Sequence, residues 1–352
     1  MKKALLLLLT IVTLGYFAAP LSAQTVWDGT ADISWFDVSQ TSFDISTPEQ
    51  LAGVASLVNS GSTTFNGVTL NLTNDLWLNA ENDSTNNWIP IGGSATATTE
   101  AQSSGNSFQG AFNGHGHSIY NLYCDKTNYF HAGFFGCIQN PCTIDSVVFI
   151  NPTVKSCGMM GVIAGMTRSG GAINIRYCLV INANVVGTPA GGSSPSASHN
   201  NIGCIVGANY PNTSGTTILN CGATGNVSGY YAGGLGGNSQ YETFTNCYFA
   251  GYINNYNNET GGITAYSGTR NNCYSYRETL LIQRSVCLPV RAGYHHRIDD
   301  CLREYGDSGG QDGGDAVAGA CHRIGGSRRW AHDDALRSRS RAPYVAVEAE
   351  SG

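Results

Sequence analysis

A glycine-apolar-glycine block recurs along the chain: GFFG from Gly133, GVIAG from Gly161, GCIVG from Gly203, GGLGG from Gly233 and a worn GGITA from Gly261. The steps are 28, 42, 30 and 28 residues, and the long step contains Thr188 to Asn200, a 13-residue turn-rich insert. A second element travels with the first: Tyr177-Cys178, Asn220-Cys221, Asn246-Cys247-Tyr248 and Asn272-Cys273-Tyr274. A fixed period in this range means stacked supersecondary units, none of which can bury its apolar side chains alone. Each unit holds two or three short β-type runs between Gly and Asn turns, with no helical pattern. The predicted fold is all-β, a right-handed parallel β-helix of five or six coils. Stacking sets equivalent residues above one another. Cys178, Cys221, Cys247 and Cys273 are then expected to form an interior ladder. Asparagines are expected at corners that need left-handed backbone, which Asn tolerates better than other non-glycine residues. In the first repeat Ile144-Asp145 stands where Asn-Cys is expected.

These blocks resemble the GLUG-motif repeats of bacterial surface proteins, over about Gly133 to Tyr276. The best examples are GCIVGANYPNTSGTTILNCGATGNVSG from Gly203 and GGLGGNSQYETFTNCYFAGYINN from Gly233. The upstream block Phe108 to Leu122 looks like the lead-in coil of such repeats. The resemblance implies a cell-surface or secreted β-helix of pectin-lyase-like architecture, with adhesive or scaffold roles.

Outside the repeats the chain changes character. Residues 1 to 23 combine Lys2 and Lys3, an apolar run and a small residue at Ala23, the pattern of a secretory signal peptide. No later apolar stretch reaches the roughly 20 residues that a membrane span needs. Residues 24 to 107 read as a cap of short strands and one helix. Thr47, Pro48 and Gln50 mark the helix start, Leu51, Val54, Ala55 and Val58 its apolar face, and Gly61 its stop. The β-helix then runs from 108 to 276. From Arg277 onward the composition breaks: asparagine occurs 31 times before that residue and never after it, while 11 of 14 arginines, Arg277 included, fall in 277 to 352. This Arg-rich segment, 277 to 352, reads as poorly ordered or as a shifted reading frame.

Candidate chemistry is sparse. Gly114-His115-Gly116-His117 resembles the Gly-His-Gly of pectin-degrading hydrolases, but glycoside hydrolysis needs two placed carboxylates. Between Gly133 and Tyr276 the acids are Asp145, Glu242 and Glu259, at different offsets in their repeats. The block is therefore read as a corner turn with His117 half-buried. Gly306-Asp307-Ser308-Gly309-Gly310 matches the nucleophile block of trypsin-like proteases, yet 76 residues cannot build the two barrels that such a site needs. Cys287, His295, His296, Cys301, Cys321 and His322 lack zinc-ligand spacing, so no metal and no cofactor is expected. Cys137 and Cys142, flanking Pro141, are the candidate disulfide.

Ten of 18 tyrosines fall between Tyr210 and Tyr276. Tyr248 and Tyr274 are expected to stack within the solenoid. Tyr230, Tyr231, Tyr252 and Tyr256 are the candidate outward-facing ligand residues, suited to a carbohydrate or a surface protein. A net charge of −6 gives no basic footprint for nucleic acid. The expected function is an exported, non-catalytic adhesin-like or scaffold module that binds host or matrix partners. The alternative is a carbohydrate-active β-helix that binds or cleaves polysaccharide.

Overall fold

The computed structural model describes residues 25–93, 106–127, 129–168, 170–188, 200–210, 215–255, 260–266, 268–277 and 348–349. The signal-peptide reading, the insert after Thr188, Tyr256, the protease-like block and the cysteines and histidines of the tail lie outside them.

Short strands stack into four sheets, in parallel apart from the pairing of Glu348–Ala349 with Tyr274–Arg277, and the second sheet takes two runs from some coils, such as Val148–Ile150 and Thr153–Ser156. The first sheet has eight strands, from Ser42–Ile45 and Thr69–Leu72 to Glu242–Thr245 and Thr269–Asn271. The second runs from Leu76–Trp77 through Ser118–Tyr120, Val148–Ile150 and Leu179–Gly187 to Tyr274–Arg277. The third and fourth hold two- to five-residue strands, such as Met159–Met160 and Ala164–Arg168. The chain thus makes about seven turns of a parallel β-solenoid, more than the five or six expected. The surplus lies upstream. Ser42–Ile45 pairs in register with Thr69–Leu72, and that strand with Ala111–Asn113, although neither early strand carries a glycine block.

Period-two alternation sends every second side chain inward, and parallel register stacks those side chains into columns. One column reads Leu70, Phe112, Ile144, Ile175, Ile218, Phe244, Arg270. Its neighbour in the second sheet reads Ile119, Phe149, Val180, Ala223, Phe249, Ser275. Both are apolar until the last described coil, where a polar residue takes the position. The early coils are filled with rings: Phe134 lies 4.9 Å from Phe135, 5.2 Å from Phe149 and 5.3 Å from Trp88. The helix Pro48–Asn59 has its capping box in place, with Gln50 N donating to Thr47 Oγ1 at 3.2 Å. It buries Leu51, Val54 and Val58 completely, in the same core as those rings.

The two repeated sequence elements are two kinds of corner. The Asn-Cys element is a two-residue corner between the first and second sheets. Its first residue is left-handed, with φ between 51° and 53° at Asn220, Asn246 and Asn272. Its second residue points inward and is buried: Cys178, Cys221, Cys247 and Cys273 stack in this way. Ser146 and Tyr177 take the left-handed position in earlier coils. The first-repeat equivalent is therefore Ser146-Val147, two residues later than the Ile144-Asp145 alignment. The asparagines form an amide ladder, Asn246 Nδ2 donating to Asn220 Oδ1 at 3.0 Å and Asn272 Nδ2 to Asn246 Oδ1 at 3.3 Å.

The glycine block is the corner between the third and fourth sheets, where stacked backbones nearly touch. A Cβ on Gly203 would lie 2.3 Å from the Leu235 carbonyl oxygen, and one on Gly207 would lie 2.4 Å from that of Gly165. Between the glycines, Ile163, Ile205, Leu235 and Ile263 fill the core.

Nine cysteines lie in the described region, all as free thiols, and Cys157 alone among them is not buried. Cys137 and Cys142 face different clusters. Cys137 packs with Phe130, Met159 and Met166 and accepts a hydrogen bond from Ser107 Oγ at 3.1 Å, whereas Cys142 joins the main core. Burial pushes the Cys124 thiol up to about 12 and that of Cys137 up to about 11. A thiol held in that form is a poor nucleophile. The eight buried cysteines are expected to resist a thiol reagent in buffer and all to react in denaturant. Two thiols missing in denaturant would mark a Cys137–Cys142 bridge, and absence of every thiol would contradict the free ladder.

Candidate functional site

A second left-handed corner lies within the second sheet. Asn121, Asn151 and Asn182 have φ of 55°, 54° and 57°. Their amides form a second ladder: Asn182 Nδ2 donates to Asn151 Oδ1 at 2.9 Å, and Asn151 Nδ2 to Asn121 Oδ1 at 3.4 Å. Below it, Asn121 and the fully buried Asn79 each donate an amide hydrogen to the other's carbonyl oxygen, at 2.9 and 3.2 Å. Above it, Asn182 N donates to Thr224 Oγ1 at 2.9 Å.

Just past this corner the strands carry an outward column: Tyr123, Thr153, Asn184, Asn226, Tyr252. The ladder and this column from Tyr123 to Asn226 line an open trough of about 300 Å³ running along the solenoid axis. Glu81 and Asp83 stand at its rim from the preceding turn, with Leu122 and Ala183 among its lining. The Asp83 carboxyl is held below its ordinary range by the Thr85 hydroxyl and backbone N–H, which donate to Oδ1 at 2.6 and 3.0 Å. At one end Tyr123 OH donates to Asp125 Oδ2 at 3.0 Å, while Lys155 bonds the same oxygen at 3.3 Å. Burial, then the Asp125 carboxylate, pushes the Tyr123 hydroxyl above its ordinary value. An asparagine amide offers two donors and an acceptor with two lone pairs, and ladder pairing uses one of each kind. The trough is thus a row of amide and hydroxyl groups repeating about every 4.8 Å.

Of the tyrosines singled out in the sequence, Tyr252 ends the outward column and is 43% exposed. Tyr230 and Tyr231 are half-buried elsewhere, edge to face at 5.6 Å, with Tyr266 5.9 Å from Tyr231. Tyr248 and Tyr274 do pair in register, but on the outer side of their strands, and the Tyr248 ring covers Gly222. The trough was not anticipated from sequence. Its signal was the spacing of Asn121, Asn151 and Asn182, at 30 and 31 residues.

The Gly114–His117 segment is a four-residue corner where later coils use two. His115 is left-handed and exposed, and its Nε2 lies 3.1 Å from Asn71 Oδ1. His117, half-buried, meets Asp75 Oδ1 at 3.2 Å, and Ser118 N donates to the same oxygen. The other acids are dispersed: Asp145 bonds Arg176 at 2.6 Å, and Glu242 is inside the solenoid. Among the described residues no His/Cys/Asp/Glu group is arranged to hold a metal ion, and no helix is long and apolar enough to cross a membrane.

No family model and no curated protein matches this chain. Among solved structures, the chain is similar to a "putative immunoglobulin A1 protease from Bacteroides ovatus", at 19% sequence identity and a TM-score of 0.44, over 73% of this chain and 82% of that one.

Proposed function

We propose that this chain is an exported, non-catalytic scaffold whose regular outer face binds a host or matrix partner at the cell surface. The observation that carries the reading is the in-register outward column from Tyr123 to Tyr252, a polar and aromatic strip across five coils. The GLUG-like repeats support a surface location. The carboxylates support the absence of hydrolysis: Asp75 holds a corner, Asp145 is tied to Arg176, and Glu242 is sealed in the core. A carbohydrate-active enzyme is the second reading, favoured by the His117–Asp75 pair. Incubating the full chain with plant and host polysaccharides separates the two. No new reducing ends and no unsaturated sugars are expected; either product would sink the non-catalytic reading.

A further inference from the structure

We infer that the asparagine-lined trough is a binding site for a neutral oligosaccharide lying along the solenoid axis. The inference rests on the binding role proposed above and names the ligand class. The ligand must match three properties of the trough. It must be rich in hydroxyls, because the walls offer Asn151, Asn182, Asn184, Asn226 and Thr153 in rows. It must repeat on the scale of the coils, because equivalent groups recur about every 4.8 Å, close to the length of one pyranose unit in an extended glycan. It must carry no negative charge, because Glu81 and Asp83 are the charged lining residues and no lysine or arginine lines the trough. That pattern disfavours polyuronates, sulfated glycans and nucleic acid alike.

An extended peptide fits less well. Strand addition needs an open sheet edge, and the strands here are paired on both sides, Leu179–Gly187 with Thr153–Ser156 below and Gly222–Gly229 above. The trough also lacks the deep apolar pockets that would seat peptide side chains, since Leu122 and Ala183 are themselves buried. The ladder is set before any ligand arrives: the left-handed corners and the amide-to-amide bonds fix the side chains, so little ordering entropy is lost on binding.

The test is calorimetric titration of the full chain with hexamers of glucose, mannose and N-acetylglucosamine, beside polygalacturonate and heparin. Asn184 and Asn226 are exposed, so the double variant Asn184→Ala, Asn226→Ala should keep the fold. At least one neutral hexamer is expected to bind, the double variant to bind it at least tenfold more weakly, and Thr217→Ala on the first sheet to bind it unchanged. The inference is overturned if no neutral hexamer binds, if the anionic polymers bind better, or if the double variant binds equally. Retention of both wild type and double variant on an immobilised matrix protein, without sugar binding, would overturn this inference alone and leave the surface-binding role standing.

Discussion

Gly203→Val is expected to abolish the folded solenoid. The added Cβ would sit 2.3 Å from the Leu235 carbonyl oxygen, 2.5 Å from that of Val206 and 2.6 Å from the Gly236 Cα. All three are backbone atoms, so no side chain can swing aside. The neighbouring coil must move instead, which breaks the pairing of Val206–Asn209 with Gly236–Asn238. Solenoid stability is a sum of coil terms and coil-to-coil interfaces, and this change removes an interface in the middle of the stack. A loss above about 4 kcal/mol is expected, seen as missing β-signal in far-ultraviolet circular dichroism and rapid proteolysis. Gly67→Asn is the matched control. Gly67 has φ of 76° with no atom within 4 Å of a Cβ, and Asn accepts that conformation. Its expected cost is within about 0.5 kcal/mol.

The second large effect is a pH dependence written into the core. Glu242 is buried inside the first sheet, stacked on Thr216, with Oε1 accepting from Thr167 Oγ1 at 2.9 Å and Oε2 without a partner. Burial pushes its carboxyl up from 4.5 to about 7. The folded state therefore holds a proton that the unfolded chain releases, and stability is full below about pH 4.5 and lost as pH rises to about 7. His131 works in the opposite direction. It is 1% exposed with neither ring nitrogen bonded, and burial, then the Arg168 charge, lowers it from 6.5 to about 3. Its contribution is full above about pH 6.5 and lost as pH falls towards 3. Between pH 4.5 and 6.5 the two slopes oppose each other, so wild-type stability should be nearly flat there and fall on either side. Glu242→Gln removes the alkaline fall and should exceed wild type at pH 8 by about 3 kcal/mol, from 2.5 pH units at about 1.4 kcal/mol each. Urea midpoints at pH 5 and pH 8 measure this. Equal alkaline losses in wild type and variant would show that the carboxylate is not the cause.

The parts legible in the sequence were those repeated in it. The glycine block and the Asn-Cys pair each mark a corner that tolerates few residue types, so they survive from coil to coil. Ser146 and Tyr177 hold the same left-handed position without the asparagine signal, which is why the first repeat aligned two residues off. The early coils were hidden for a related reason: the helix Pro48–Asn59 lies between Ser42–Ile45 and Thr69–Leu72, so no glycine corner announces the turn. Glu242 was recognised as out of step with the other acids, but its burial was not legible, because strand alternation around a charged residue reads equally well in either phase. The trough draws its walls from five turns, each contributing a few ordinary polar residues. Only the register of stacking assembles them.

That register is the central claim, and paired cysteines test it most directly. Thr217 and Thr243 are partners on adjacent strands of the first sheet, outward and half-buried. Their Cα atoms should lie about 4.8 Å apart, inside the 4.4 to 6.8 Å range of disulfides. Thr217→Cys with Thr243→Cys should form an intramolecular bridge under mild oxidation, identified by mass spectrometry of the linked peptides. Thr217→Cys with Thr245→Cys, offset by two residues to about 8 Å, should not. Bridging of the offset pair in place of the matched pair would contradict the stacking, and with it the outward column and the trough.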